Sequence, residues 1–479
     1  MPVFKNLRKL FSADEAKVLL TKDQIAEMLK VSPEAYEAFE KAYATQVLAS
    51  GETPDNFFEV NAKMAKEEHE GIVITNADVD LNDIIERIVT GLLSKTQVYI
   101  YDGKSGGLGV KKSNFFANPV TNEEIMNLPE ELRPQLTESL MKIDVDKRSS
   151  DMLLMNYHQY MNAKNEKTAR QWYHMFRQGL DILDYDSLMY EMIGTNPNSI
   201  GHWFPQLVEA VKMQDFFKLP KTKIIKVPMP ILQLTRIGYE NLTKTTIDIV
   251  DKFVYRIFGL NPEEEYFIKT GTYSSKFDFR NAHVHGAKEV RELGEYLLFI
   301  HYQANMMASP LSQPSIYGVS TTNEWAVREF IKDVENNPCI YKGMPLRTEY
   351  RVFVDFDDDE ILGIAPYWKP DVMKQRFGHA EDADSPHNVH DYIIYQAHEE
   401  KLMQRYEENK SKVLSELEKM IPDVDLSGQW GVDIMQNGDE FYIIDMALAK
   451  DSALVDCVPA GLLKHVNENW LPDLSGKKG

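Results

Sequence analysis

A hairpin with two aspartates near the end of the chain is the feature that most constrains the fold. Residues 431–454 read GVDIMQNGDEFYIIDMALAKDSAL. Two apolar runs flank Asn437-Gly438, a pattern typical of two strands joined by a tight turn. Asp433 and Asp445 interrupt these runs at positions where a half-buried strand usually carries apolar residues.

The register of the hairpin decides whether the two aspartates lie side by side. A two-residue Asn-Gly loop pairs Asp433 with Tyr442 and turns Asp445 to the opposite face. A three-residue loop, with Gly438 in the left-handed bulge position, restores the parity. The second register gives two faces, one with Val432, Ile434, Tyr442, Ile444 and Met446, the other with Asp433, Met435, Ile443 and Asp445. We prefer it because its first face is a continuous apolar surface.

The aspartate pair has two interpretations. Adjacent carboxylates repel each other unless a cation or a proton lies between them, and Mg²⁺ prefers such oxygen ligands. Alternatively, one aspartate caps a turn and the other pairs with a lysine or arginine. The hairpin alone leaves both open.

The length of the chain, 479 residues, predicts two or three domains, each with its own core. We predict a helical region over 1–65, a mixed α/β domain of unassigned role over 66–215, and an α+β unit over 216–479. Helices and hairpins alternate in the last unit, which includes a predicted helix at 323–336.

Composition narrows the class of protein and of partner. Hydrophobic residues make up 43% of the chain, the formal net charge is -21, and the cysteines are Cys339 and Cys457. We therefore expect a cytoplasmic protein without a disulfide framework and without a membrane span. Basic residues are interspersed with acidic ones, which argues against bulk nucleic-acid binding.

A lysine followed by a small-residue loop predicts a phosphate site. Lys269 follows the apolar strand residues 266–268, and the loop after it contains Gly271, Thr272, Ser274, Ser275 and Lys276. An ammonium group attracts phosphate oxygens, while loop N–H groups and hydroxyls donate hydrogen bonds to them. The alternative is a surface lysine before an ordinary loop.

An arginine on a predicted strand adds a second cation. Residues 347–356 and 360–368 are typical of a strand pair joined by an acidic turn. Alternation places Glu349 and Arg351 on the same face of the first strand. A guanidinium group at a sheet position suits phosphate or carboxylate, whereas the alternative is a surface Glu349–Arg351 ion pair.

Taken in order, three segments resemble motifs of the ATP-grasp superfamily. They are FIKTGTYSSK, EYRVFVDFDDDEILGIAPYW and GVDIMQNGDEFYIIDM, within 216–479. The FxKxxxxSSK spacing and the EYRVFV phrase are most similar to the eukaryotic cell-division-cycle branch, whose members bind ATP and assist assembly of a translation initiation factor. The resemblance implies a two-lobed α+β unit that clasps ATP and Mg²⁺ between its sheets.

The resemblance also implies roles for individual residues. Lys269 corresponds to the phosphate lysine, 271–276 to the phosphate loop and Arg351 to the phosphate arginine. Asp433 and Asp445 correspond to the metal carboxylates. A second set is assigned to the same nucleotide site: Lys223 or Lys226 as an earlier lysine, Cys339 and Ile340 as the adenine hinge, and Glu349 beside Arg351.

Ala447 departs from the family pattern, which has an asparagine two residues after the second metal carboxylate. Alanine cannot bind a metal ion. Three interpretations stay open: Asp451 replaces the missing ligand, Mg²⁺ binds with fewer protein ligands, or the site is degenerate. Mg²⁺ retains several waters and needs few protein ligands. The alanine therefore weakens the expectation of turnover more than the expectation of nucleotide binding.

The resemblance implies an ATP- and Mg²⁺-dependent ligase. In such enzymes a carboxylate attacks the γ-phosphate to form an acylphosphate and ADP, and an amine or similar nucleophile then displaces phosphate. Lys269 and Arg351 would act by charge neutralisation and positioning, and Trp368, Lys369 and Arg376 are candidates for contact with the second substrate. The alternatives are an ATP-binding assembly factor or pseudo-enzyme that grips a protein partner, and an ATP-dependent kinase.

Overall fold

The computed structural model describes residues 80–103, 107–112, 118–136, 196–308, 322–377 and 386–464, with scattered positions between 155 and 194. The predicted helical region 1–65 lies outside these residues. The described elements mix helices with mainly antiparallel sheets, so the chain has an α+β fold.

Strands account for the central framework of the described chain. Numbered in chain order, they are β1 (Gln97–Tyr101), β2 (Gly109–Lys112), β3 (Phe217–Lys218), β4 (Thr222–Lys226), β5 (Tyr266–Thr270), β6 (His283–Val284), β7 (Glu324–Glu329), β8 (Cys339–Ile340), β9 (Met344–Pro345), β10 (Glu349–Asp355), β11 (Glu360–Pro366), β12 (Gln429–Asn437) and β13 (Glu440–Leu448).

Helices cover the faces of these sheets. They are α1 (Leu81–Lys95), α2 (Asn122–Met126), α3 (Ile200–Val211), α4 (Met229–Leu234), α5 (Lys244–Phe258), α6 (Phe279–Ala282), α7 (Ala287–Arg291), α8 (Leu293–Ala308), α9 (Pro370–Phe377) and α10 (Pro386–Met420). Short 3₁₀ turns at Glu130–Leu132, Tyr239–Asn241, Lys276–Asp278, Ile421–Asp423, Ala449–Asp451, Val455–Cys457 and Ala460–Leu462 connect them.

Six of the described strands form one antiparallel sheet in the order β2-β1-β4-β7-β5-β6. Helices α1, α5 and α8 pack on one face of this sheet, where residues such as Ile225, Ile268 and Val327 join their apolar core. Alternation along β5 and β7 turns the neighbouring residues, among them Lys269 and Arg328, to the opposite face.

Five described strands form the second sheet in the order β11-β10-β12-β13-β3, in which β13 and β3 run parallel. Helix α3 packs between the sheets, since its Trp203 and Phe204 share a core with Ile224 of β4 and Val432 of β12. Helix α10 covers the same face of the second sheet, where Tyr406 stacks on Tyr350. The other face, which carries the charged residues of β10 and β12, is left to a cleft.

The predicted boundary at residue 216 does not separate two sheets. Strands β1 and β2 precede it, yet β1 pairs with β4, which follows it. The side chain of Tyr101 joins the core that α3 and the second sheet share. The described parts of 66–215 are therefore built into the same framework as 216–479, because antiparallel pairing joins segments that are distant in sequence.

The predicted helix at 323–336 is wrong. Residues 324–329 form β7, which lies between β4 and β5 and is buried along nearly its whole length. A strand buried on both faces lacks a simple polar–apolar alternation, so its apolar spacing is easily mistaken for that of a helix. The predicted strands at β10 and β11, and the helix at α5, are confirmed.

The hairpin puts Asp433 and Asp445 on the same face, as predicted, but in a different register, in which the two residues pair directly. The turn is Gly438-Asp439, with Gly438 at a φ of 64°, and Asn437 pairs with Glu440. The irregularity that restores the parity lies at Ile444 rather than in the turn. Consequently Ile443 joins the core with Val432, Ile434 and Met446, and Tyr442 lies on the aspartate face.

The described helices include none that is both long enough and apolar enough to span a bilayer.

Gly271 provides a test of the packing between the sheet edge and α3. A Cβ at this position would lie 2.1 Å from Ser199 Oγ and 2.1 Å from Thr322 Oγ1. We expect Gly271→Ala to lower the free energy of unfolding by about 1–3 kcal/mol, because a buried neighbour must move. Gly91→Ala, in α1 where a Cβ meets nothing within 4 Å, is the matched control and should raise stability by about 1 kcal/mol.

Denaturant unfolding followed by circular dichroism measures both changes. Equal midpoints for the two variants would show that the space around Gly271 relaxes without cost.

Candidate functional site

The cleft between the two sheets has charged residues from both. Its empty volume is about 850 Å³, including space open to solvent, and its lining comes from β5, β7, β9, β10, β12, β13 and the segments that follow β5 and β11. The cleft is therefore the place where residues distant in sequence meet.

Lys269 reaches the cleft from β5. Its side chain is only 2% exposed, and its Nζ donates a hydrogen bond to Asp445 Oδ1 at 2.7 Å. Burial lowers the pKa of Lys269, and the Asp445 carboxylate opposes that shift. Burial disfavours ionisation of Asp445, but the charges of Lys269, Arg328 and Lys276 outweigh it and lower the pKa of this carboxyl. The ion pair links the six-stranded sheet to the five-stranded sheet.

Arg351 occupies the neighbouring position on β10. Its Nε and Nη2 donate to the two carboxylate oxygens of Asp433 at 2.7 and 2.6 Å, and its Nη1 donates to Ala453 O at 3.1 Å. Burial disfavours the charged guanidinium, but the Asp433 carboxylate outweighs this effect and raises the pKa of Arg351. The two aspartates of the hairpin thus each hold a cation: Asp445 pairs with Lys269 of the other sheet, and Asp433 pairs with Arg351 of the adjacent strand in its own sheet.

Arg328 is a third cation, and we did not predict it from the sequence. It lies on β7 with 3% exposure; its Nε donates to Thr222 Oγ1 at 3.1 Å and its Nη1 to Ile444 O. Burial lowers its pKa to about 10, against the attraction of Asp445 and Glu329. The carbonyl it contacts belongs to the irregular residue of the hairpin. Alternation along WAVRE was the available signal, since it puts Arg328 on the face opposite Trp325.

Of the loop residues after β5, Ser274 and Lys276 line the cleft. The ammonium of Lys276 contacts the hydroxyl of Tyr367. Burial disfavours the charge on Lys276, but Tyr367 and the Asp433 carboxylate outweigh it and raise its pKa. Lys276 is therefore a fourth cation at this end of the cleft.

The other residues of this loop hold it against the neighbouring elements. Gly271 N donates to Glu324 O and Gly271 O accepts from Ile200 N, each at 2.8 Å. Thr272 N lies 3.3 Å from Thr270 Oγ1, and Ser275 Oγ donates to Gln303 Oε1 at 3.0 Å. These contacts fix the loop against β7, α3 and α8, so that Ser274 and Lys276 face the cleft.

Glu349 lines the cleft between the cations. Burial raises its pKa to about 7; Lys276 opposes the shift and the Asp433 carboxylate adds to it. Glu349 is thus the acidic group of the cleft whose protonation changes near neutral pH.

The other end of the cleft is apolar and aromatic. Phe267, Phe279, Phe330, Met344 and Met435 line it. Phe279 lies between Phe267 and Phe330, at ring-centroid distances of 5.9 and 6.1 Å. A flat hydrophobic group such as a nucleobase fits such a surface.

Four of the residues predicted to contact the nucleotide do not line the cleft. Lys223 turns to the helix-covered face of the sheet, and its ammonium contacts Phe258 O and Gly259 O. Lys226 is exposed at the end of β4. Cys339 and Ile340 form a two-stranded ribbon with β9, and it is Met344 and Pro345 of β9 that line the cleft. Alternation along β4 turns Lys223 away from the cleft. Pairing with β9 holds Cys339 and Ile340 in the two-stranded ribbon.

Of the three residues predicted to contact a second substrate, one lines the cleft and two do not. Trp368 lines the cleft and donates its Nε1–H to Arg347 O at 3.0 Å. Lys369 lies 3.6 Å from Asp456, and Arg376 lies over the ring of Phe277 at 4.7 Å. The structure brings Trp368, but not the two charged residues, to the cleft lining.

The carboxylates meet only part of what a metal site requires. Among the described residues, no three His, Cys, Asp or Glu side chains are grouped to hold a metal ion. Asp451 accepts from Asn198 Nδ2 at 2.8 Å and does not line the cleft, while Ala447 pairs with Gly431. The side chain of Asp445 is 37% exposed, whereas both oxygens of Asp433 accept from Arg351. Asp445 therefore fits Mg²⁺ directly, and Asp433 fits only if Arg351 leaves it.

Comparisons with known proteins give a distant structural similarity. No protein-family model matches the chain, and a search of curated proteins finds no match. C-terminally truncated Cdc123 from Schizosaccharomyces pombe is similar with a TM-score of 0.32 and 12% identity, over 56% of this chain and 92% of that chain. Cdc123 from the same organism gives a TM-score of 0.33 and 13% identity, over 56% and 93%. What the cleft can bind must therefore be inferred from the positions of its own residues.

Glu349 makes the stability of the protein depend on pH. Because the folded state raises its pKa from 4.5 to about 7, the folded state binds a proton more tightly than the unfolded chain. Its contribution to the free energy of unfolding therefore falls as pH rises from about 4.5 to 7 and is constant above that range.

We expect Glu349→Gln to remove this decline, so that the variant gains stability relative to wild type by at most about 3 kcal/mol between pH 4.5 and 7.5. Denaturant unfolding across that range measures the difference. Glu263→Gln, at an exposed position outside the cleft, is the control. Parallel pH curves for wild type and Glu349→Gln would contradict the expectation.

Proposed function

We propose that the cleft is an ATP site of the ATP-grasp type, in which the triphosphate lies against Lys269, Lys276, Arg328 and Arg351. The observation that carries the proposal is the convergence of these four cations from two sheets and one loop at the same end of the cleft. A polyphosphate is the ligand whose charge and length match such a group.

Charge complementarity supports an anionic ligand. Cations this deeply buried require partners, since an isolated buried charge is strongly unfavourable. Asp445 and Asp433 pair with two of the four cations, Lys269 and Arg351. A triphosphate would supply the additional negative charge, and the cations are already oriented for it, which lowers the entropic cost of binding.

The aromatic end of the cleft supports a nucleoside as the other part of the ligand. Phe267, Phe279 and Phe330 line the cleft together with Met344, and Phe279 lies between the other two rings. Most small-molecule sites combine such an apolar surface with a few fixed polar groups. A base on the aromatic end and a triphosphate on the cations would use both ends.

Asp445 and, after release of Arg351, Asp433 are the residues that would hold Mg²⁺. The ion would neutralise phosphate charge. The protein's own contribution is an exchange of partners: the cations transfer from the aspartates to the phosphates, and the aspartates become available to the metal. Binding of ATP and of Mg²⁺ should therefore reinforce each other.

For the reaction we propose an ATP-dependent ligase. A substrate carboxylate oxygen bonds to the γ-phosphorus as the bond from that phosphorus to the bridging oxygen breaks, which gives an acylphosphate and ADP. An amine or similar nucleophile then bonds to the acyl carbon, and inorganic phosphate leaves. Lys269, Lys276, Arg328 and Arg351 stabilise the phosphate charge and position it, and this chemistry needs no nucleophilic side chain.

A second candidate is an ATP-binding protein that grips a protein partner without turnover. The bidentate Arg351–Asp433 pair favours it, because this pair closes one of the two metal carboxylates. Alanine at position 447 removes a further ligand. The two candidates share the ATP site and differ in whether the γ-phosphate is transferred.

Calorimetric titration with ATP tests the site. We expect Lys269→Gln to weaken ATP binding by about ten- to a hundredfold, because a charged hydrogen bond to phosphate is lost. Asp445→Asn should reduce the gain in affinity that Mg²⁺ produces. Lys226→Gln, a lysine on the same sheet outside the cleft, is the matched control and should bind as wild type. ATP binding by Lys269→Gln at wild-type strength would overturn the site assignment.

Product analysis separates the candidates. With ATP, Mg²⁺ and a panel of carboxylates and amines, a ligase forms ADP and phosphate, and chromatography of the nucleotides detects them. AMP with pyrophosphate would overturn the ligase mechanism. ATP binding without any nucleotide product, altered by one added protein, would establish the second candidate instead.

A further inference from the structure

Two of the four cations in the cleft meet at one aromatic ring. Lys276 Nζ lies 4.4 Å from the centroid of the Tyr367 ring, and Arg351 Cζ lies 4.9 Å from the same centroid. The hydroxyl of Tyr367 also contacts the ammonium of Lys276. Cations at such distances are attracted by the electron-rich ring.

The ring is held in place by the backbone and by its neighbour. Tyr367 N donates to Glu349 O at 3.0 Å, which continues the pairing of β10 and β11 by one residue. Trp368 packs edge-on against the ring at 5.0 Å, and Trp368 is itself 1% exposed and bonded to Arg347 O. Tyr367 is thus a rigid group at the end of a strand.

The two cations come from different parts of the framework. Lys276 follows the loop after β5 of the six-stranded sheet, whereas Arg351 lies in β10 of the five-stranded sheet. Their like charges repel each other, and each disfavours the charged form of the other in a buried site. Contact with one side chain, through its hydroxyl for Lys276 and through its ring for Arg351, offsets part of this repulsion.

We propose that Tyr367 is a positioning residue that holds Lys276 and Arg351 at a fixed spacing for the polyphosphate chain of the ligand. This inference rests on the proposed ATP site and extends it to an uncharged residue to which the sequence assigned no role. Tyr367 acts through the two cations: its hydroxyl contacts Lys276, and its ring lies against Arg351.

Ring-retaining and ring-removing variants test the inference. Calorimetry with ATP and with inorganic tripolyphosphate is carried out on wild type, Tyr367→Phe, Tyr367→Leu and Tyr392→Leu. We expect Tyr367→Leu to weaken both ligands about tenfold, because both cations lose their contact with this side chain. Tyr367→Phe should weaken them less, by about threefold, since it keeps the ring beside Arg351 and loses only the hydroxyl that contacts Lys276. Tyr392→Leu removes a ring outside the cleft lining and should bind as wild type.

A double-mutant cycle distinguishes positioning from general damage. In a Lys276→Met background, Tyr367→Leu should cost clearly less affinity than it does in the wild-type background, because one of the two cations it positions is already absent. Thermal unfolding of each variant shows that it is folded. Equal losses in both backgrounds, or equal losses for Tyr367→Phe and Tyr367→Leu, would overturn the inference.

The remaining outcomes separate this inference from the proposed function. Wild type that binds ATP and tripolyphosphate, with no change in Tyr367→Leu, overturns the role of Tyr367 and leaves the ATP site standing. Binding of tripolyphosphate but not of ATP, with loss in Tyr367→Leu, supports the role of Tyr367 and overturns the nucleotide assignment. Wild type that binds neither ligand overturns both.

Discussion

The buried ion pair between Lys269 and Asp445 is the interaction on which the arrangement of the cleft depends. It joins β5 of one sheet to β13 of the other, and the ammonium is almost completely enclosed. Removing one partner of such a pair leaves an uncompensated buried charge, which typically costs about 3–5 kcal/mol. The pair Arg351–Asp433 lies beside it. Together the pairs keep cations and carboxylates of both sheets close to one another in a site that opens to solvent.

This arrangement explains how one site serves both a stable fold and a highly charged ligand. Without ligand, the aspartates partner the cations. Under the proposed function, a triphosphate would give the same cations better-matched anionic partners and would release the aspartates to a metal ion. The free energy of binding is then the difference between two sets of ion pairs, not the sum of the new contacts. Such an exchange favours selectivity for polyanions more than high affinity. The closed Arg351–Asp433 pair is also the feature that separates a turnover enzyme from an ATP-dependent binding protein.

Much of the site was predictable because strands impose a period of two. Alternation placed Glu349 and Arg351 together, and the two apolar runs of the hairpin placed Asp433 and Asp445 on the same face. The turn itself was misassigned: the irregularity lies at Ile444, where the carbonyl accepts from Arg328. Arg328 lies on β7, which the sequence predicted as a helix. Because of that error, the cause of the irregularity at Ile444 was not visible from the sequence. Tyr367 was missed because a strand-end tyrosine has no distinctive pattern until its neighbours across the cleft are known.

The sequence by itself determined which side chains share a face within each strand, the presence of two carboxylates on one hairpin, and a lysine ahead of a small-residue loop. These features follow from local backbone geometry, which each segment carries independently of the others. The tertiary structure alone decided that β7 is central, that Lys223 faces the helices, and which cation meets which carboxylate. Those outcomes depend on strand order and on packing between segments that are distant in the chain, and such contacts leave no periodic trace in the sequence.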